Sequence, residues 1–332
     1  MAKRIEYIDG AKAIAIIAVI IGHCGPWIQH IPYATRFIYS FHIPLFFIVS
    51  GYFIKDLPLK KAAQKYGKRY LIPYLISILV GFIIVITIAA LSQILDYNII
   101  NNYLLRAVYA SGGNISIFLH DIPIIGPLWF LWGGWFSCII YTIISNLSIT
   151  KNSYTSKCLL FFFGAIISMF SERYINLPLS FQAGCFAALY IFAGHVIKKY
   201  DIIAKFEDGH SIIIILALLL WILSIRTGFY NLGTCTTGTP LNFIMSFIAP
   251  IVILLICKKV DLKGGWVGAS TLSIFCAHGI IHIAFYFAGN PYSLLHYNII
   301  VNSFITIFGE ISSAFIGALI LQRAPLINQY FK

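Results

Sequence analysis

The chain has 332 residues, of which 60% are hydrophobic, 16% aromatic and only 10% charged, and its formal charge is +12. An average soluble domain is about 25% charged, and a soluble fold of this size has too little polar skin to cover so much apolar surface. Disorder, collagen and an ordinary cytosolic enzyme are excluded, and lipid is the natural solvent for such a chain. The positive charges sit in short gaps between apolar stretches, so they read as membrane topology; no nucleic-acid partner is expected.

Ten apolar stretches run along the chain, at roughly 11–28, 38–54, 70–95, 124–147, 158–174, 181–197, 211–230, 241–257, 266–288 and 298–321. Each is about long enough to cross ~30 Å of hydrocarbon at ~1.5 Å per residue. Lys3 and Arg4 ahead of the first stretch resemble a signal peptide. Asp9 and Lys12 interrupt that reading, nine more stretches follow, and a retained first helix is the better account. The fifth and sixth stretches are short, and Asn176-Leu177-Pro178 leaves only a tight turn between them. The gap at about 96–123 contains Ser111-Gly112-Gly113-Asn114 and His120-Asp121 and reads as an ordered loop.

With the N-terminus inside, Arg36, Arg106, Arg173 and Arg226 fall on the outer side and Lys12 within the first stretch. The other 18 of the 23 Lys and Arg fall on the inner side. That asymmetry predicts an all-α integral membrane protein of about ten transmembrane helices, with N- and C-termini cytoplasmic. Residues 1–332 form one transmembrane domain, with no internal repeat and no attached soluble domain. Seven Cys are scattered without a CxxC pair or a zinc spacing, and read as small buried apolar groups. No metal is expected.

Ionisable groups within apolar stretches are costly in lipid and mark candidate sites. In the first stretch, Lys12 and His23 are 11 residues apart, which puts them on one helical face about 16 Å apart along the axis. Asp9 precedes Lys12 by one turn and is placed to pair with it, and Glu6 lies just before. Snorkelling of Lys12 to the inner headgroups and capping of the helix by His23 before Gly25-Pro26 are the plainer readings. In the second stretch His42, Pro44, Ser50 and Gly51 permit close approach of a ligand or simply of another helix. Lys55 to Arg69 holds six positive charges and one Asp; Lys65, Lys68 and Arg69 suit a phosphate-rich ligand or anionic lipid headgroups. Trp129, in Pro127-Leu128-Trp129-Phe130-Leu131-Trp132, is either an interfacial anchor or a stacking surface.

His278 and His282 share the i, i+4 spacing of a zinc protease, but Gly279 stands where such an enzyme has Glu. His195 and Glu310 are the remaining inward candidates. Glu310 needs a partner, for which His278, His282 or His42 would serve.

Six segments in order resemble the membrane acyltransferase-3 family, closest to its fucose 4-O-acetylase-like sugar acetyltransferases. They are Tyr7-Ile8-Asp9-Gly10-Ala11-Lys12 with Gly22-His23, then Phe41–Phe53, Arg69-Tyr70-Leu71-Ile72-Pro73-Tyr74, Pro127–Leu131, Ser270–His278 and Ala324-Pro325-Leu326. In many members the basic residue 11 before the histidine is arginine; here it is Lys12, a point charge and not a bidentate fork.

The resemblance implies acetyl-CoA, or another acyl-CoA, as co-substrate and transfer to a hydroxyl of a carbohydrate. The acceptor is then a surface glycan or its lipid-linked precursor, and the setting a multi-pass protein in a bacterial plasma (inner) membrane. Joined to the residues, it assigns donor phosphates to Lys65, Lys68 and Arg69, and general-base work to His23. Lys12 and Asp9 would position donor or base, and Ser50, Trp129, His42, Glu310 and His278 would line the substrate's path. A covalent acyl intermediate on His23 or Ser50 stays open beside direct transfer. The alternatives are a transporter or flippase for a lipid-linked glycan and a nonenzymatic membrane scaffold; intramembrane His and Glu fit a carrier too, although no inverted repeat is evident.

Overall fold

The computed structural model describes residues 4–24, 31, 33–113, 115–117, 120–151, 153–206, 211–288 and 299–331. Gly25-Pro26, Asn114 and the first residue of the stretch at 298–321 therefore lie outside the described residues.

All ten apolar stretches fall on helices. The first two are α1 (Glu6–Gly22) and α2 (Ala34–Tyr52). An amphipathic helix α3 (Leu59–Tyr66) runs through a π turn at Gly67–Leu71 into α4 (Ile72–Leu91). After α5 (Tyr97–Tyr109) come α6 (Trp129–Asn146), α7 (Tyr154–Ser171), α8 (Phe181–Lys199) and α9 (Ser211–Thr227). The chain closes with α10 (Pro240–Lys259), α11 (Thr271–Ala288) and α12 (Ile299–Arg323). Among the described residues, six units are long and apolar enough to cross a membrane: Leu59–Leu91, Gly126–Asn146, Tyr154–Ser171, Pro178–Lys199, Pro240–Lys259 and Phe304–Arg323. α1, α2, α9 and α11 are shorter or more polar.

Local chemistry sets several boundaries. Thr239 and Asn242 form a reciprocal capping box at the start of α10, with Pro240 at its first turn. Ser153 caps α7 by accepting from the Ser156 N–H. The gap at 96–123 is more structured than an ordered loop. It holds α5, whose N-terminus is capped by Asp96 accepting from the Ile99 N–H at 2.8 Å. It also holds a small antiparallel hairpin, β1 (Ile115–Ile117) with β2 (His120–Ile122). The basic segment after α2 is likewise helical, because α3 buries Ala62 and Tyr66 and exposes its lysines.

α8 packs on α2, α6 and α7, while α1 lies against α2, α10, α11 and α12. The α2–α8 crossing is close because Gly51 faces the Ile191 carbonyl and Gly194 faces the Ile48 carbonyl, and a Cβ at either position would collide. Small residues at such crossings let backbones approach, which is how helices associate in lipid. The outward faces stay apolar: Leu75, Leu79 and Ile83 on α4 and Phe304 and Phe308 on α12 are all more than half exposed, as a lipid-facing surface requires.

Candidate functional site

α1 carries ionisable groups at both ends. Near its start, Asp9 is buried and accepts from two cations. Lys12 Nζ lies 2.7 Å from Oδ1 and Arg4 Nε 2.6 Å from Oδ2. The short helix Gly265–Ala269 closes over this pair, and a Cβ on Gly268 would strike the Asp9 backbone. A carboxylate taken out of water needs such pairing. The Asp9–Lys12 contact expected from the spacing is present, and Arg4 joins it. Glu6 instead pairs with Lys263 at 3.2 Å on the surface.

Three cavities share wall residues in series, and α1 lines the first and the last. The first holds about 550 Å³ and is lined by Lys12, Lys65, Lys68 and Arg69 on one side. The start of α11 at Thr271 and Leu272 and the segment Gln329–Phe331 complete its wall. The π turn carries Lys68 and Arg69 and leaves both exposed to this space. Tyr66 and Tyr70 lie beneath Lys65 and Arg69 at 5.0 and 5.4 Å from ring centre to cation.

The second cavity is a neck of about 60 Å³. It shares Arg69, Thr271 and Leu272 with the first and adds Ser50, Phe130 and Phe275. Ser50 Oγ is 3.4 Å from the Tyr70 hydroxyl.

The third cavity, of about 90 Å³, shares Phe275 with the neck and is lined by His23, Tyr39, His42, Trp129 and Asn231. His23 ends α1, and its Nδ1 lies 2.7 Å from the Val19 carbonyl, which can only accept. That bond places the proton on Nδ1 and leaves the Nε2 lone pair available. His42 is held in the same way by the Ile38 carbonyl at 2.6 Å.

The rings of His278 and His282 each meet the His23 ring edge-on at 5.6 Å between centroids, and lie 5.9 Å from each other. His278 Nε2 is buried and has no hydrogen-bond partner among the described residues. Gly126, at φ +70°, passes so close to His282 that a Cβ would lie 2.7 Å from its Cδ2. Gly112, Gly133 and Gly233 pack against the Trp129 indole, where Cβ atoms would come within 3.1 Å. The indole is therefore fixed by backbone and not by rotamer choice.

The expected residues thus separate into two groups, each at a cavity that shares wall residues with the neck. Asp9, Lys12, Lys65, Lys68 and Arg69 gather at the basic end. His23, His42 and Trp129 gather at the other, with His278 against His23 and Ser50 between. Glu310 is buried, and Cys24 lies close to its carboxylate. His195 stands apart, stacked on Tyr154 with 3.3 Å between Nε2 and the phenol oxygen.

Tyr39, Asn231 and Gln329–Tyr330 had no signal in the sequence, and Phe275 had only its place in the Ser270–His278 segment. Arg106, counted as an outer charge, turns inward. It is buried, donates to the Ile124 carbonyl at 2.7 Å and lies 3.6 Å over the Tyr286 ring. Among the described residues no group of three or more His, Cys, Asp or Glu side chains is placed to hold a metal ion.

A search of curated proteins and a search of solved structures each return no match. A family model described as an acyltransferase domain matches residues 5–323, from ahead of Asp9 to the end of α12. With an N-terminal lysine–histidine helix, a basic cavity and a histidine cavity in a multi-pass helical bundle, the chain belongs to the acyltransferase-3 family.

Proposed function

We propose that this protein moves an acetyl group from cytoplasmic acetyl-CoA to a hydroxyl of a carbohydrate, either a surface glycan or its lipid-linked precursor. It would do so in a bacterial plasma membrane, as a relative of the fucose 4-O-acetylase-like members, with ten crossings and both termini inside. One observation carries the reading: a single helix brings Lys12 to a basic cavity and His23 to an imidazole-lined one, and a neck shares walls with both. The residues fit the donor. Its phosphates match Lys65, Lys68 and Arg69, its slender pantetheine arm suits the neck past Ser50, and its thioester would then stand beside His23.

In the reaction, His23 Nε2 takes the proton of the acceptor hydroxyl, and the oxygen attacks the thioester carbonyl carbon. The carbon–sulfur bond breaks, the sulfur leaves with the proton returned by the imidazolium, and the products are the ester and free CoA. The Val19 carbonyl holds the ring in the tautomer this requires. Trp129 offers its face to the sugar, with Asn231, His42 and His278 as polar neighbours, and Glu310 lies behind the site next to Cys24. Asp9 pairs with Lys12 and holds it at the wall of the basic cavity.

The test is turnover of labelled acetyl-CoA by detergent-solubilised protein with acceptor, where no gradient exists to drive a carrier. Release of CoA by the wild type and its loss in His23→Ala are expected. Undiminished acetylation in that variant would remove His23 from the mechanism, and absence of turnover in the wild type would return the carrier reading.

A further inference from the structure

The wall of the basic cavity has a charged part and an uncharged part. Its cations all come from α1, α3 and the π turn, whereas the segment Gln329–Phe331 contributes an amide and two rings and no charge to the described wall. Phe331 is 1% exposed. The turn before it is closed by the Tyr330 N–H to the Ile327 carbonyl at 3.0 Å and the Phe331 N–H to the Asn328 carbonyl at 3.1 Å. A buried ring and consecutive backbone bonds make this segment a fixed wall and not a loose end. Tyr330 is half-buried and Gln329 exposed, so each reaches the cavity from an anchored base.

A ligand with a polyanionic part and a heteroaromatic part would satisfy both at once. We propose that Tyr330 stacks on the purine base of the acyl donor and that Gln329 hydrogen-bonds its edge, while Lys65, Lys68 and Arg69 hold the phosphates. A phenol ring presents a π-face to a base, and a carboxamide pairs donor-to-acceptor with the N6/N7 edge of adenine. Rim cations recognise phosphate in any compound; the uncharged wall is what would distinguish a nucleotide-bearing thioester from other phosphates. This assignment rests on the acyl-CoA reading above.

The experiment measures equilibrium binding of CoA and of 4′-phosphopantetheine, which lacks the nucleotide, to the full chain in detergent. Tyr330→Ala, Tyr330→Leu and Tyr330→Phe are compared with the wild type, and the readout is the ratio of the two affinities. Loss of folding lowers both affinities together and leaves the ratio unchanged. Ala and Leu are expected to weaken CoA about tenfold and leave 4′-phosphopantetheine within twofold, while Phe binds both as the wild type does. Gln329→Ala is expected to weaken CoA alone, by about threefold. An unchanged ratio in Ala and Leu variants that still bind 4′-phosphopantetheine within twofold of the wild type overturns the base subsite while leaving the donor reading intact. A wild type that binds neither compound overturns the donor reading itself.

Discussion

Lys12 Nζ sits 2.7 Å from Asp9 Oδ1, while the other oxygen of the same carboxylate takes Arg4. Asp9 is therefore the shared counter-ion of two cations near the start of α1. Asp9→Asn keeps the shape and removes the charge. Breaking a fully buried pair costs about 3–5 kcal/mol, but Lys12 is 22% and Arg4 58% exposed, so the expected loss is about 2 kcal/mol. Thermal unfolding in detergent measures it, and an unchanged midpoint would show that Asp9 does not stabilise this end of the helix.

His23→Ala should lower kcat by about 10²–10⁴ while the KM for acetyl-CoA moves less than about threefold, because the proposed phosphate contacts Lys65, Lys68 and Arg69 line a different cavity. Single-turnover kinetics with saturating donor separates the two effects. A large rise in KM with kcat preserved would make His23 a donor contact and not a base.

Lys68→Ala should do the opposite, raising KM for acetyl-CoA about tenfold at low salt with kcat nearly constant. Lys68 is exposed at the cavity, so added salt should raise the wild-type KM and shrink the difference between the two proteins. A KM indifferent to both changes would turn the basic segment back into a topology and headgroup signal.

Gly51→Ala places a methyl group against the Ile191 carbonyl where α2 crosses α8. Overpacking of this kind costs about 1–3 kcal/mol. A lower unfolding midpoint and reduced yield are expected, with the same KM in the protein that survives. Gly164→Ala meets nothing within 4 Å and is the matched control.

The helices were legible where apolar runs were long, since backbone in lipid must satisfy its own hydrogen bonds. Even the short pair around Asn176–Pro178 reads correctly. α5 was missed because Asn98, Asn101 and Asn102 break its apolar pattern, although Asp96 three residues before Ile99 was a usable capping signal. α3 was missed because its lysines outnumber its buried residues. The site was half legible. An ionisable group in lipid announces itself, so Lys12, His23, His42 and His278 could be found. Tyr39, Asn231 and Tyr330 are ordinary residues made significant only by what the fold puts across from them. His195 lies apart from both cavities, against Tyr154.

Because Lys12 and His23 ride on one uninterrupted helix, the interval between basic cavity and imidazole is a yardstick written in covalent geometry. Deleting a single residue between them would shorten the span by only ~1.5 Å but swing the imidazole by about 100°. The ring would then miss its chamber while the ammonium kept its seat, so this segment tolerates exchange of side chains far better than any change of length.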